Sequence, residues 1–227
     1  MPTLNTTLII RKRLLAANER AAAAVREELA QREILALNLL GGPGAGKTSL
    51  LERMAVVLGP RLAVLAGDVE TERDAARVGR HGVQSVAITT AGSCHLDALM
   101  VQRAIHALDL DVVRLLVIEN VGNLVCPAAF DLGEAFKAVM LSVPEGDDKP
   151  LKYPAIFARA EVALINKIDL LPHCPDFEPE RARRHALAVN PRLTFFALSC
   201  RSGEGIEPWI EWVEARREPA PARVITG

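Results

Sequence analysis

The stretch Leu39-Leu40-Gly41-Gly42-Pro43-Gly44-Ala45-Gly46-Lys47-Thr48-Ser49 decides how the rest of the chain reads. An apolar run, Ile34 to Leu40, leads into it, and Leu50 to Leu58 follow with the spacing of a helix. Strand, glycine-rich turn and helix in that order match the phosphate-binding loop G-x-x-x-x-G-K-[ST], with Gly41, Gly46, Lys47 and Thr48 at its defining positions. Glycine lets the backbone turn in ways a side chain forbids, so successive N–H groups from Gly42, Gly44, Ala45, Gly46, Lys47, Thr48 and Ser49 can converge on phosphate oxygens. The helix starting there directs its positive end at the same oxygens. Lys47 is placed to reach the β- and γ-phosphates, and the Thr48 hydroxyl to ligate Mg²⁺. The bland alternative, a glycine-rich turn that binds nothing, does not account for the strand and helix on either side.

Working outward, apolar runs alternate with helical patterns from residue 34 onward. Strands are predicted at 34–40, 62–66, 84–89, 113–118, 137–143, 162–166 and 194–198, and helices at 48–58, 71–80, 95–107, 178–189 and 205–216. A run such as Val112-Val113-Arg114-Leu115-Leu116-Val117-Ile118 is too continuously apolar for a half-exposed strand and suits a parallel sheet covered on both faces. The expected fold is therefore α/β: a doubly wound, mostly parallel sheet flanked by helices, with its ligand at the carboxyl ends of the strands. Residues 11–33, rich in Ala, Arg and Glu, predict a helix on the outside of that domain or one that binds a partner. The organisation expected is a helical appendage over 1–33, a phosphate-loop domain over 34–216 and a frayed tail over 217–227.

Bulk properties narrow the function. With 227 residues, 50% hydrophobic and 24% charged, there is ample material for a core, and at 4% aromatic residues the packing must be aliphatic. A net charge of −1 offers no footprint for nucleic acid or an anionic membrane. No apolar run approaches the roughly 18 residues of a membrane span. Arg11-Lys12-Arg13 follow the first apolar segment instead of preceding it, the wrong order for a secretory signal. The expectation is a cytoplasmic protein whose Cys94, Cys126, Cys174 and Cys200 are thiols or metal ligands, not disulfides.

A second motif, Asn166-Lys167-Ile168-Asp169, follows the strand Val162-Ala163-Leu164 and resembles the N-K-x-D element of GTPases. The Asp169 carboxylate can accept two hydrogen bonds from the N1–H and exocyclic amine of guanine. Adenine has no matching donor pair and would leave the carboxylate unsatisfied. Asn166 is placed to contact the base and tie loops together, and the Lys167 stem to lie over the ring. Ser199-Cys200-Arg201 after the next strand resembles the loop that closes over guanine, so GTP or GDP is expected in preference to ATP. Asp68 at the end of the second strand and Glu119 at the end of the fourth are candidates for holding Mg²⁺ through its waters or positioning the attacking water. Ordinary caps and strand-end polar residues remain the alternative for each, and Asp74 is equally a helix-surface acid or a switch residue. No arginine finger or glutamine is evident, which predicts slow hydrolysis without a partner.

Thr89-Thr90-Ala91-Gly92-Ser93-Cys94-His95-Leu96-Asp97 stands at a strand-to-helix junction, and Cys126-Pro127 in a later loop. Cys94 is expected at a helix N-terminus, which favours thiolate. Thiolate with imidazole suits Zn²⁺, Ni²⁺ or Cu, although an isolated Cys-His pair is more often structural. Cys94, His95 and Cys126 would leave a tetrahedral site one ligand short, pointing to water or a second subunit.

Gly67-Asp68, the Cys-His-Leu-Asp-Ala of 94–98, Ile118-Glu119-Asn120-Val121-Gly122-Asn123-Leu124-Val125-Cys126-Pro127 and Glu145-Gly146-Asp147-Asp148-Lys149 together resemble the HypB family, GTPases that assist nickel insertion into [NiFe]-hydrogenase. The resemblance spans about residues 34–215. It implies a GTP-dependent homodimer of the SIMIBI class of P-loop proteins. It also implies a zinc or nickel site at the subunit interface through Cys94, His95 and Cys126, with switch loops coupling nucleotide state to that site. A lysine in the segment 149–153, with Lys152 the candidate, would reach the partner subunit's nucleotide. A HypA-type nickel chaperone is the implied partner, with the hydrogenase large subunit downstream. The Cys-rich or His-rich N-terminal stretch of some members is missing, since the first cysteine is Cys94 and the first histidine His81. A separate tight nickel site or nickel storage is therefore not expected. His173-Cys174, His106 and His185 read as surface residues, and Cys200 as buried beside the guanine loop. Two other readings stay open: a metallochaperone GTPase of the urease accessory type, and a P-loop kinase acting on a small molecule, which has no need of Asn166-Lys167-Ile168-Asp169.

Overall fold

A computed structural model of the chain describes residues 4–68, 73–90 and 92–217. Seven strands form one parallel sheet: β1 (Leu35–Gly41), β2 (Leu62–Asp68), β3 (Gln84–Thr89), β4 (Leu115–Glu119), β5 (Phe136–Ser142), β6 (Val162–Asn166) and β7 (Thr194–Ala197). Their order is β3-β2-β4-β1-β5-β6-β7. The chain leaves the central β1 toward β2 and β3, returns to insert β4 beside β1, then leaves again on the other side through β5 to β7. The loop after β1 thus sits where the winding reverses, the place an open α/β sheet offers a ligand. The register aligns the carboxyl ends: Leu39 and Ala66 both pair with Glu119, and Ser142 pairs with Asn166.

The helices are α1 (Leu4–Gln31), α2 (Lys47–Leu58), α3 (Arg73–Gly79), α4 (Ala98–Ile105), α5 (Lys149–Lys152), α6 (Pro154–Arg159), α7 (Pro179–Val189) and α8 (Ile206–Ala215). Successive residues of a strand point to opposite faces, and here both faces are covered. Leu62, Val64 and Ala66 of β2 pack in a core with Leu50, Leu51 and Met54 of α2 and Trp209 and Val213 of α8. Ala63 and Leu65, between them, join Val25 and Leu29 of α1 and Val101 and Ile105 of α4. This explains the unbroken apolar runs in the sequence. Each fully buried aliphatic side chain is worth about 1.5–3 kcal/mol. An exposed ion pair such as Arg26–Asp131, at 2.8 Å, contributes at most about 1 kcal/mol, so packing holds the layers together. No helix among the described residues is long and apolar enough to cross a membrane.

Several elements differ from expectation. The first helix begins at Leu4, well before residue 11, and besides its apolar packing it carries one buried polar residue that ties it to α4 and to the loop before β5. Asn18 accepts a hydrogen bond from Ala98 N at 2.8 Å and donates to Asp131 O at 2.8 Å. The fourth helix starts at Ala98, capped by the Asp97 side chain on Met100 N, so residues 95–97 are loop. Two short helices, α5 and α6, were not expected. Each begins at a proline pair, Lys149-Pro150 and Tyr153-Pro154, and Tyr153 is pushed out of helical geometry by the proline after it (φ −126°, ψ 55°). His185 is half-buried rather than on the surface, its Nδ1 3.0 Å from Asp147 O. The start of the helix expected at 71 and the tail expected to fray from 218 lie outside the described residues.

Candidate functional site

The phosphate loop bends tightly between β1 and α2. Gly46, the N-cap of α2, has φ +103°, and a Cβ there would collide with the amide nitrogen of Asn166. Only glycine serves at this position, on both counts. A cavity of about 570 Å³ opens above the loop, lined by Gly44, Gly46, Lys47, Thr48 and Ser49, by Gly67 and Asp68 from β2, by Asp74 and Arg77 from α3, and by Glu119 to Gly122 after β4. Lys47 is buried at its floor, its ammonium donating to the carbonyls of Gly41 (3.2 Å) and Gly42 (3.4 Å). Burial lowers its pKa, against the opposing charges of Glu119, Asp74, Glu145 and Asp68.

Glu119 is the strained member of the set. Burial lifts its carboxyl to about 7, despite Lys47 nearby and the Thr48 hydroxyl donating to Oε1 at 2.8 Å. Its second oxygen, Oε2, is buried with no hydrogen-bond partner. An orphaned carboxylate oxygen beside a hydroxyl at the mouth of a phosphate loop is the donor chemistry a hard divalent cation takes, so these residues fit Mg²⁺. Asp68 lines the same cavity. Among the described residues no three His, Cys, Asp or Glu side chains converge tightly enough to hold a metal by themselves.

A second cavity of about 380 Å³ shares Gly46, Ser49 and Lys167 with the first and adds Asn166, Asp169, Leu170, Cys200 and Arg201. Asn166, fully buried, fastens three segments. It donates to Ala45 O (2.8 Å) and its Oδ1 accepts from the backbone of Lys167 (2.7 Å) and Cys200 (3.2 Å). Ser199 does not line the cavity. Its hydroxyl donates to Asp169 Oδ1 at 2.5 Å and so aims the carboxylate. Lys167 sits in the left-handed region at φ 63°, a conformation costing about 1–3 kcal/mol that the surrounding bonds impose. Cys200 is half-buried, and burial pushes its thiol to about 11.

Cys94, His95 and Cys126 come together on the same edge of the sheet. Cys94 Sγ lies 3.7 Å from His95 Nδ1, and its thiol hydrogen-bonds that of Cys126. The expectation of a low thiol pKa at a helix N-terminus is corrected: α4 begins four residues later, and the hydrogen bond with Cys126 moves the Cys94 pKa upward. The His95 ring stacks on Phe130 at 3.9 Å, and burial lowers its pKa. One chain thus brings three soft donors near one another. Lys152 lines neither nucleotide cavity and pairs with Asp148 at 2.6 Å on the exposed face of α5.

Arg77 was missed by sequence reasoning. It lines the phosphate cavity while its guanidinium is tied to Glu52 (2.7 Å), with Ser49 Oγ and Asp74 at 3.5 Å. No motif announces it, because its place depends on α3 folding back over α2.

Loop, catalytic-side carboxylate and base cavity together are those of a P-loop nucleotide-binding protein of the α/β class. Residues 35–197 match the family described as CobW/HypB/UreG, nucleotide-binding domain. The chain is 51% identical over 212 residues to hydrogenase maturation factor HypB of Azotobacter vinelandii, covering 92% of this chain and 70% of that one. It is 46% identical over 202 residues to HypB of Escherichia coli K12, covering 88% and 69%. It is 37% identical over 221 residues to the hydrogenase/urease maturation factor HypB of Helicobacter hepaticus, covering 95% and 91%. The crystal structure of HypB from Helicobacter pylori in complex with nickel superposes with a TM-score of 0.85 at 36% identity, covering 88% of this chain and 95% of that one. HypB from Archaeoglobus fulgidus superposes at 0.83 and 39% identity, covering 90% of this chain and all of that one. The chain belongs to the HypB family of hydrogenase maturation factors.

Proposed function

We propose that this protein hydrolyses GTP to gate the delivery of nickel during [NiFe]-hydrogenase maturation. The observation that carries the reading is the shared edge: phosphate cavity, guanine-sized cavity and the Cys94–His95–Cys126 half-site all lie at the carboxyl ends of the strands. GTP would rest its phosphates on the N–H groups of Gly44 to Ser49 with Lys47 against their charge, and its base on Asp169, aimed by Ser199. Thr48 and Glu119, with Asp68 nearby, would hold Mg²⁺, which would supply charge neutralisation for the phosphates. Attack of water on the γ-phosphorus, with cleavage of its bond to the β–γ bridging oxygen, leaves GDP and phosphate.

Nickel, or zinc in its place, is the cargo. One chain supplies Cys94, His95 and Cys126, and a second copy completes the site in a nucleotide-dependent homodimer, with Lys152 reaching across to the partner's nucleotide. Residues 34–216 are the GTPase unit and 1–33 its helical attachment. A HypA-type nickel chaperone hands the metal on, and the hydrogenase large subunit receives it indirectly. We place this work in the cytoplasm, where the four free cysteines stay reduced.

The test is a Ni²⁺ titration with GDP and with a non-hydrolysable GTP analogue, using Cys94→Ala as control. Affinities that differ between nucleotides, with the difference lost in the variant, support a gated carrier. Equal affinities, or binding that survives the substitution, sink it. A second reading, service to urease as well, rests on the Helicobacter hepaticus relative's name, and deletion phenotypes for the two enzymes separate the two.

A further inference from the structure

The loop bearing Cys94 and His95 is gripped at one residue by two strand ends that line the phosphate cavity. Leu96, fully buried, packs against Gly67 of β2 so closely that a Cβ there would come within 2.8 Å of its side chain. From the other side its backbone N–H donates to Asn120 Oδ1 at 3.4 Å. Asn120 follows Glu119 directly, is 1% exposed, and has both ends of its amide engaged. Oδ1 also accepts from Val121 N at 3.0 Å, and Nδ2 donates to Asn38 Oδ1 at 3.2 Å.

The contacts continue to the metal half-site by a second route. Asn38, buried in β1, donates to Glu134 Oε1 at 3.4 Å. Glu134 accepts from Leu132 N at 2.6 Å and pairs with Lys137. Lys137 donates to Phe130 O at 3.0 Å, and the Phe130 ring lies under His95. Two asparagines and a Glu–Lys pair inside an aliphatic sheet are costly unless every group is satisfied, and a satisfied network of this kind has one preferred arrangement.

We propose that Asn120 is the positioning residue that couples the phosphate cavity to the metal loop. A displacement of the Glu119–Gly122 segment on nucleotide exchange moves the acceptor of Leu96 N, and with it the two residues before Leu96. The inference rests on the gated site proposed above and adds the residue that does the gating. Spatial contact alone does not demonstrate coupling, so the readout must be a linkage.

Ni²⁺ affinity is measured by titration with GDP and with a non-hydrolysable GTP analogue, in the unsubstituted protein, Asn120→Ala and Asn38→Ala. The readout is the ratio of the two affinities, which a merely structural loss lowers equally in both states. In Asn120→Ala the ratio falls to within about twofold of unity. In Asn38→Ala, where the amide keeps Leu96 but loses its lower anchor, it falls part of the way. Where the alanine variant does not fold, Asn120→Ser, too short to reach Leu96 N, carries the same expectation. An unsubstituted ratio that persists in the Asn120 variant overturns the role of Asn120 and leaves the carrier standing. A ratio of one in the unsubstituted protein overturns both.

Discussion

In the proposed site Glu119 would serve two opposed ends: ionised to hold a cation, yet buried where ionisation is costly. Its folded pKa of about 7 stands above the ordinary 4.5. The folded state therefore binds the proton more tightly than the unfolded chain. That contribution to stability is full below about pH 4.5 and is lost as pH rises through about 7, a change of about 3 kcal/mol. Glu119→Gln keeps the shape and cannot ionise. It should raise the melting temperature at pH 8 by roughly 6–12 °C, leave it unchanged at pH 4.5, and abolish Mg²⁺-dependent hydrolysis. A melting gain that is the same at both pH values would mean Glu119 is not the titrating group. At the base cavity, Asp169→Asn replaces an acceptor by a donor. GTP affinity should fall by about 100-fold or more, and a xanthine nucleotide, which has a carbonyl where guanine has its amine, should recover it. Failure of xanthine to discriminate would put the base elsewhere. Arg77, held by Glu52 at the wall of the phosphate cavity, would gain a competing anion if phosphates bound there. Arg77→Ala should weaken the GTP analogue by about tenfold and GDP by less, measured by equilibrium binding, whereas equal losses would make it a structural tie only.

At the scale of elements, α1 shows how one polar residue at the middle of a helix adds to its apolar packing. Asn18 satisfies Ala98 N at the start of α4 and Asp131 O in the loop before β5. Asn18→Ala orphans two backbone groups in a poorly hydrated place, so urea unfolding should show a loss of about 2 kcal/mol, and Leu14→Ala, on the exposed side, almost none. The sequence could announce β1 to β7 because burial on both faces makes each a short continuous apolar run. It could announce Gly41–Thr48 and Asn166–Asp169 because their chemistry is written in local spacing. Asn18 could not be read, since its partner lies 80 residues away. Helices α5 and α6 are too short for a period to register, and prolines divide them. The Cys94 thiol was read from its neighbours in sequence, but its pKa is governed by Cys126, brought near only by the fold. Arg77 belongs to the same class: an ordinary residue placed at the phosphate cavity by its surroundings and not by a motif.

The whole molecule places the phosphate cavity and the Cys94, His95 and Cys126 side chains on one edge, and in the function proposed above that arrangement has consequences independent of any path between them. If the GTP analogue changes Ni²⁺ affinity by some factor, Ni²⁺ must change the analogue's affinity by the same factor, with about 5–150-fold the ordinary size of such couplings. Measuring all four affinities should close the cycle within about twofold. Stoichiometry then discriminates further. Among the described residues no three candidate ligands form a closed group, while Cys94 is exposed and His95 and Cys126 are half-buried beside it on one chain. Two copies facing each other about a twofold axis would present four thiols and two imidazoles to one ion, more than a tetrahedral or square-planar centre needs. The metal-loaded state should therefore contain one Ni²⁺ for every two chains. Its dimer should strengthen with Ni²⁺ and weaken in Cys94→Ala, as read by sedimentation at matched nucleotide. One Ni²⁺ per chain on a monomer would mean that a single chain closes the site by rearranging its loop. Nucleotide would then act on loop shape rather than on association, and the dimer would have no part in holding the cargo.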